Sequence, residues 1–345
     1  MIRRLFFLFA IDLLTMANLH AQTPNIPIPM QAAPEKEASP ATGLKTLNIP
    51  DDAPKEDWNT LALAKSNLPP QSIGGFLLSK VDLPGGCTRE ILRMEWRKND
   101  PIDLYVIRPT HNGKMPVVLF LYNYTFDNDI FREDRWCDRA RDNGFAAVAF
   151  ATALSWPRIH SPRPIGNWFV SQLQEALASS THDVQMVLNY LETRNDLDAG
   201  HVAVFGQGSG GAVAILSAAA DQRIASLDLL DPWGDWPEFL RDSKQIPEDE
   251  RPNYLKPEFL KSVASLDPVD YLPELKDRVV RMQQISDEPV MPAAAKEKMA
   301  SAAPHSDQLM RFPDRAAAGK ALGSNGIMSW LGEQANHETS GSRSH

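Results

Sequence analysis

The sequence predicts an α/β protein in which a mostly parallel central sheet is covered by helices on both faces. Two observations predict this fold class. Apolar runs of strand length alternate with longer segments of helical spacing through most of the chain after residue 100, a pattern typical of parallel strands joined by helices. Residues 201–216 read HVAVFGQGSGGAVAIL, which is an apolar strand, a turn with four glycines in six residues, and an apolar helix.

The other predicted elements follow the same alternation. Three strands at the N-terminal edge form an antiparallel set, because turn residues join them, at 74–81, 88–96 and 102–109. Further buried strands are expected at 116–124, 146–150, 226–231, 279–286 and 308–312. Helices are expected at 129–143, closed by Gly144, at about 170–194, after the glycine turn, at 292–302 and at 324–331. Residues 232–270 are rich in Trp, Pro and charge, and predict a lid-like excursion over the sheet.

The N-terminus resembles a secretory signal peptide. Arg3 and Arg4 precede an apolar run at 5–17, and Ala21 is a small residue before a plausible cleavage point. The run is shorter than the roughly 20 apolar residues that span a bilayer. We therefore expect a signal peptide at 1–21 and a periplasmic or secreted protein, with membrane contact only through an uncleaved signal segment.

The region after the signal peptide predicts a tether rather than a folded unit. Residues 22–57 contain seven prolines and few large apolar side chains, so they bury too little apolar surface to offset the entropy of ordering. One folded domain is expected at 58–335, followed by a polar tail at 336–345.

The composition of the chain limits which partners and cofactors are expected. The chain has 345 residues, 43% of them hydrophobic, and a formal net charge of −9, which argues against a nucleic-acid partner. No cluster of cysteine and histidine has metal-ligand spacing, so neither a metal site nor a cofactor is expected. The two cysteines, Cys87 and Cys137, form either one disulfide or two separate buried thiols. The oligomeric state is left open.

The glycine turn has two interpretations. Gly206, Gly208 and Gly211 satisfy the dinucleotide pattern Gly-x-Gly-x-x-Gly, and Asp231 lies about where that pattern expects an acidic residue. The second interpretation is a nucleophile elbow, Gly-x-Ser-x-Gly, in which a strand-to-helix turn exposes the nucleophile. The elbow interpretation is favoured, because several predicted strands and helices precede the turn, whereas the dinucleotide pattern normally opens its domain.

Four segments carry a family resemblance, and they occur in the expected order: PVVLFLYNY, FGQGSGG, AAADQRI and QQISDEPVMP. Through them, residues 75–335 resemble the α/β-hydrolase superfamily, in particular its dienelactone hydrolase and acetyl xylan esterase-like branch. The resemblance implies the α/β-hydrolase fold. It also implies a site at which a serine, a histidine and an aspartate would act together in ester hydrolysis.

The catalytic residues match this pattern only in part. The acid position corresponds to Asp287, for which helix capping is the alternative role. The nucleophile position is Gly208, which has no side chain, and the neighbouring Ser209 is the alternative nucleophile. The base position, at 311–320, contains no histidine. The remaining candidate histidines are expected to be solvated or packing residues: His160, His182, His305 and His337.

Two further groups complete the candidate site. Tyr122, Asn123 and Tyr124 replace the oxyanion loop of many relatives and, with Gln207 and Gly208, are expected to line or fill the pocket. Three tryptophans near the same end of the sheet either line a ligand site, for a small molecule or carbohydrate, or pack beneath the lid. They are Trp168, Trp233 and Trp236.

The sequence therefore predicts an exported α/β-hydrolase-fold protein without Ser–His–Asp catalysis, which binds a ligand instead. The first alternative is an active serine esterase that uses Ser209 and Asp287. The second is a dinucleotide-binding protein that uses the three glycines of the turn. Chemistry by an unrelated group, for example one with Asp231 or Asp235, is also left open.

Overall fold

The computed structural model of the protein describes residues 55–68, 75–97, 100–123, 128–155, 158 and 168–337. The expected signal peptide, nearly all of the expected tether, Tyr124, His160 and the end of the polar tail lie outside the described residues. The backbone of Trp168 is described, but its side chain is not.

Nine strands form one sheet. In chain order, β1 to β9 are Phe76–Leu83, Cys87–Met94, Ile102–Pro109, Met115–Leu121, Ala146–Ala149, Leu197–Gln207, Ile224–Leu230, Val279–Ile285 and Leu309–Phe312. Their order in space is β1-β2-β3-β5-β4-β6-β7-β8-β9. The first three strands pair antiparallel, as does β3 with β5, and the remaining pairs are parallel. The predicted parallel sheet with an antiparallel N-terminal edge is confirmed.

Helices cover both faces of this sheet. In chain order, α1 to α11 are Arg135–Asn143, Trp168–Ser171, Leu173–Glu192, Ser209–Ala220, Trp236–Asp242, Arg251–Tyr254, Pro257–Ala264, Pro268–Tyr271, Ala293–Ala302, Arg315–Leu322 and Gly326–His337. Helices α1 and α11 contact each other and the sheet, as do α3 and α4. Each pair therefore belongs to one layer of helices.

Strand β4 shows why the central strands are apolar throughout. Val117, Leu119 and Leu121 pack into the larger core cluster, with α3 and α4. Val118 and Phe120 pack into the other core cluster, with α1 and α11. Because successive side chains of a strand point to opposite faces, a strand covered on both faces has no position left for a polar residue.

The helices differ from the sequence prediction at three points. The helix expected at 129–143 is a 3-10 turn at Asn128–Arg132 followed by α1, which ends at Gly144 with φ of 71° as predicted. The long helix expected at about 170–194 is divided into α2 and α3. Helix α10 was not predicted, although Asp314 caps it by accepting a hydrogen bond from the Ala317 amide at 2.7 Å.

The two cysteines form a disulfide. Cys87 on β2 and Cys137 on α1 have a Cα–Cα distance of 5.7 Å, and both side chains are buried. The cross-link joins the second strand of the antiparallel edge to the first helix of the α1 and α11 layer. Of the two alternatives that the sequence left open, the structure has the disulfide.

Candidate functional site

The glycine turn is an elbow of the shape that the sequence predicts. It joins β6 directly to α4, and Gly208 at its apex has φ of 54° and ψ of −118°. A side chain disfavours this backbone conformation. At Gly210, a Cβ atom would lie 2.2 Å from the Leu121 carbonyl oxygen. The turn therefore needs glycine at position 210 so that it can pack against the end of β4. At position 208, glycine avoids the backbone strain that a side chain would cause at the apex of the turn.

Asn123 occupies the space beside Gly208. A Cβ atom built on Gly208 would lie 2.6 Å from Oδ1 and 2.7 Å from Cγ of Asn123. Real Cβ contacts are essentially never closer than 3.0 Å. The volume that a nucleophilic side chain at 208 would enter is therefore filled by the amide of Asn123.

Ser209, the alternative nucleophile, lies at the first turn of α4 and is 1% exposed. Its amide nitrogen and its hydroxyl both approach Oδ1 of Asn123 at 3.4 Å. Both hydrogen bonds are long compared with the usual 2.7–3.0 Å of such bonds. The structure thus brings together Gly208, Ser209 and Asn123, and the amide of Asn123 lies at the N-terminus of α4, where an anion would otherwise be favoured.

Tyr122 lies among aromatic side chains. Its ring centroid is 5.6 Å from that of Phe205, 5.9 Å from that of Phe131 and 6.4 Å from that of Phe120. Burial raises the pKa of its hydroxyl above the ordinary range. Tyr122 therefore extends an aromatic cluster of the core up to the elbow. Gln207, the last residue of β6, is partly exposed.

The loops after β8 and β9 lie together at the same edge of the sheet. The Ser286 amide donates to the Phe312 carbonyl at 2.8 Å, and the Asp287 amide donates to the Pro313 carbonyl at 3.1 Å. The Asp287 side chain itself is exposed. It does not cap α9, because the capping position there is Pro292, with no side-chain hydrogen bond.

The region after β9, which corresponds to the base position of the family, has other roles. Asp314 caps α10, and Arg315 pairs with Glu288 across the two loops. Two of the candidate histidines have their hydrogen-bond partners elsewhere. His182 is bound to Glu56 and Thr60, and Nε2 of His305 lies 2.8 Å from the Arg278 carbonyl.

A buried carboxylate lies at the end of the neighbouring strand, β7. Asp231 follows β7 with φ of 46°, and its Oδ1 accepts a hydrogen bond from the Ile285 amide at 2.8 Å. Burial raises the pKa of this carboxyl to about 6. The Lys296 ammonium donates to the Ile285 and Glu288 carbonyls at 2.5 and 2.7 Å, and burial lowers its pKa. No local pattern around Lys296 indicated this contact.

A cavity of about 680 Å³ lies between the helices of residues 232–270 and helix α9. It lies among α5, α7, α8 and α9, and its lining includes Asp235, Trp236, Asp267 and Lys298. Asp267 accepts hydrogen bonds from the Asp235 and Trp236 amides at 2.7 and 2.8 Å, and burial raises its pKa to about 6. Asp235 is ion-paired with the half-exposed Lys298 ammonium at 3.0 Å. Gly208, Ser209 and Asn123 are not among the lining residues.

The described tryptophans of the excursion are buried. Trp233 packs on Phe239 with centroids 5.1 Å apart, and Trp236 donates from Nε1 to the Leu266 carbonyl at 2.9 Å. Their exposed fractions are 2% and 1%. Trp236 lines the cavity, whereas Trp233 does not.

Among the described residues there is no candidate metal centre and no membrane-spanning helix. No group of three or more His, Cys, Asp or Glu side chains there is placed to hold a metal ion. Among the described helices, none combines the length and the apolar character needed to cross a bilayer.

Comparison with known proteins identifies the fold. No family model matches the chain, and no curated protein matches it. Acetyl xylan esterase 1 from Thermoanaerobacterium sp. JW/SL YS485 is similar in structure, with a TM-score of 0.56 and 15% identity, over 79% of this chain and 92% of that one. An S-formylglutathione hydrolase from Agrobacterium tumefaciens gives 0.54 and 13%, over 75% and 99%. An acetyl xylan esterase from Paenibacillus sp. R4 gives 0.52 and 16%, over 74% and 86%.

The chain has the α/β-hydrolase fold, as the sequence resemblance implied, and its structural neighbours include acetyl xylan esterases. At these identities the likeness establishes the fold alone. The activity must be argued from the side chains at the elbow.

Proposed function

We propose that this is an exported α/β-hydrolase-fold protein that has lost Ser–His–Asp catalysis and acts by binding. The observation that carries the proposal is the position of Asn123, whose Oδ1 lies 2.6 Å from where a Cβ of residue 208 would be. An enzyme of this type needs an exposed nucleophile at that point. Here a glycine stands at the apex, and an amide fills the space.

The other parts of the machinery support the same conclusion. A nucleophilic serine needs a base within hydrogen-bond reach and a carboxylate that orients the base. The region after β9 offers the helix cap Asp314 and the ion-paired Arg315 instead. Removal of triad members costs orders of magnitude in rate even when the rest of the site is intact.

The alternative is an esterase that uses Ser209 and Asp287. It is favoured by the structural neighbours, which include an acetyl xylan esterase and an S-formylglutathione hydrolase. Against it, the Ser209 hydroxyl approaches Asn123 rather than a base, and Ser209 is almost fully buried. The dinucleotide alternative has less support. Asp231, its expected ribose partner, accepts the Ile285 amide.

A small molecule or carbohydrate is the proposed ligand class. The cavity among α5, α7, α8 and α9 has both apolar walls and charged groups, as ligand sites commonly do. A thermal-shift screen with small sugars and aromatic acids tests this, with Lys298→Gln as the cavity variant. A ligand that stabilises both proteins equally binds elsewhere.

Export is supported by the disulfide, because such bonds persist in oxidising compartments. N-terminal sequencing of the mature protein tests this part. The proposal expects Gln22 as the first residue, and an intact Met1 in a cytosolic fraction contradicts it.

Labelling with a fluorophosphonate, followed by intact mass and peptide mapping, tests the loss of catalysis. The expected result is no adduct and no hydrolysis of short-chain aryl esters above the level of Ser209→Ala. An adduct on Ser209, together with hydrolysis that disappears in Ser209→Ala, overturns the proposal in favour of the esterase.

A further inference from the structure

The segment 55–68, where the chain enters the folded domain, is fastened to α3 by buried charged groups. We call these groups the clasp network; they are Glu56, Arg97, Asp100, Arg158, His182 and Asp183. None of them lies in the elbow or in the loops after β8 and β9. The clasp network is therefore separate from the site discussed above.

Direct hydrogen bonds connect the network from one end to the other. Arg158 binds Asp100 at 2.5 and 2.9 Å and Asp183 at 2.5 Å. Arg97 bridges Asp183 and Glu56, and its Nη2 donates a hydrogen bond to Oε1 of Glu56 at 2.7 Å. Asp183 is fully buried and also accepts a hydrogen bond from Trp96 at 2.7 Å. Glu56, on the segment itself, is thus held from the domain side.

The ring of His182 has two partners, and both are acceptors. Nδ1 lies 2.6 Å from Oε1 of Glu56, and Nε2 lies 2.9 Å from the Thr60 carbonyl oxygen. A backbone carbonyl can only accept. Burial alone would raise the pKa of Glu56, but hydrogen bonds from Arg97 and His182 outweigh it and lower that pKa to about 2. Both carboxyl oxygens of Glu56 accept a hydrogen bond from the guanidinium of Arg97, so Glu56 is a carboxylate, which also only accepts.

Two acceptors require two donors. A neutral imidazole has one N–H and one lone pair, whereas an imidazolium has two N–H groups. The geometry around His182 is satisfied only by the doubly protonated ring. The charges agree: three carboxylates then face three cations, and the buried network is neutral as a whole. The exposed Asp57 is a more distant negative neighbour of the ring.

We propose that His182 acts as a pH-operated latch: its imidazolium fastens segment 55–68 to α3, and loss of one ring proton and release of the segment are a single event. Deprotonation places a lone pair against either Thr60 or Glu56. It also leaves one uncompensated negative charge in a buried network, which is costly.

Release has a defined structural consequence. Leu63 of the segment is buried, and Trp58 and Leu61 pack against the larger core cluster. Gln185 of α3 accepts from the Leu63 amide at 3.1 Å and donates to the Leu61 carbonyl at 2.7 Å. Opening the latch therefore uncovers apolar surface and Gln185 on α3, and adds the segment to the expected tether.

The test follows two signals across a pH titration of the full chain. Imidazole ¹⁵N NMR reports the protonation of His182, and hydrogen exchange reports the opening of residues 55–68. The proposal expects both to change at the same midpoint, with the protection factors of the segment, which correct for the intrinsic rise of amide exchange with pH, falling about tenfold or more. Protection factors in β4 and β6 are monitored in parallel, and should stay high because the domain remains folded.

Glu56→Gln with Asp57→Asn as the matched control sharpens the test. Both substitutions remove one negative charge from neighbouring positions, but only Glu56 contacts the ring. Glu56→Gln is expected to move the protonation signal and the opening together, in the same direction and to the same extent, and Asp57→Asn to move them much less. A neutral ring while the segment is still protected, or opening that does not follow the ring, overturns the proposal.

Discussion

The elbow and the clasp network are two buried polar regions with opposite character. At the elbow, Ser209 and Asn123 approach each other over 3.4 Å, and neither is charged. In the clasp network, six titratable groups are joined, mostly over 2.5–2.9 Å. In α/β-hydrolases the nucleophile lies at this elbow, yet the shorter polar contacts of the two regions lie where the chain enters the domain.

This difference shows that buried charge alone is a poor indicator of a functional site. Perturbed titratable groups cluster at active sites, but structural ion-pair networks perturb them equally. Here the elbow keeps the backbone shape of a hydrolase, and the Ser209 hydroxyl approaches the side-chain amide of Asn123. Geometry at the expected reacting atom is therefore more informative than the strength of nearby electrostatics.

The largest expected effect breaks the clasp network. Asp183→Asn leaves Arg97 and Arg158 without their shared buried carboxylate, and should lower the free energy of unfolding by about 3–5 kcal/mol. Urea unfolding measures this. The control is Asp142→Asn, whose exposed carboxylate pairs with Arg141 and should cost at most about 0.5 kcal/mol. Equal losses in the two variants contradict a structural role for the network.

The next effect is at the elbow. Gly208→Ala should lower the free energy of unfolding by about 2–4 kcal/mol, because the new Cβ overlaps Asn123 and the positive φ is unfavourable. Gly113→Ala isolates the second cause. Gly113 has φ of 93°, and a Cβ there meets nothing within 4 Å, so a loss of only about 1 kcal/mol is expected. Similar losses at both positions would mean that Asn123 is not in the way.

A smaller effect depends on pH. The pKa of Asp231 is raised by burial to about 6, above the value of 3.8 that an unburied aspartate would have. The folded state then binds more protons than the unfolded state between about pH 4 and 6, so the contribution of Asp231 to stability is lost as pH rises through that window. Burial also raises the pKa of Asp267, so its contribution to stability is likewise lost as the pH rises.

Asp231→Asn should flatten this dependence and stabilise the protein at neutral pH by about 1–2 kcal/mol, since the amide oxygen can still accept from Ile285. Denaturant melts between about pH 4 and 7 check it. A steeper slope in Asp231→Asn contradicts the assignment.

The smallest effect compares two buried hydroxyls. Ser209→Ala should change the free energy of unfolding by at most about 1 kcal/mol, because its hydrogen bond is long. Ser180→Ala should cost about 1–3 kcal/mol, because the Ser180 hydroxyl donates to the Ala176 carbonyl at 2.6 Å and accepts the Ala153 amide at 2.9 Å. Thermal or urea unfolding separates the two, and the reverse order contradicts this account of the elbow.

Much of the fold could be predicted from the sequence. The central strands are recognisable in the sequence as continuous apolar runs, because both of their faces are covered. The glycine turn is recognisable because the elbow leaves no room for side chains. Helix α10 was missed, although Asp314 before an alanine-rich run was a capping signal.

The site was predictable only in part. The sequence marked Asn123 and Gly208 as pocket residues, but they are far apart in the chain, and no local pattern says that one fills the space beside the other. The clasp network was not found for the same reason. Glu56 and His182 are separated by 126 positions, and pairing across such a distance leaves no periodicity to detect.

A double-mutant cycle between Gly208 and Asn123 tests most directly whether Asn123 replaces the nucleophile. The free energy of unfolding is measured for Gly208→Ala, Asn123→Ala and the double variant. If Asn123 fills that space, Gly208→Ala should cost about 1–2 kcal/mol less in the Asn123→Ala background than in the unsubstituted protein. Strictly additive losses would contradict the account and leave the space beside Gly208 open to a reacting group.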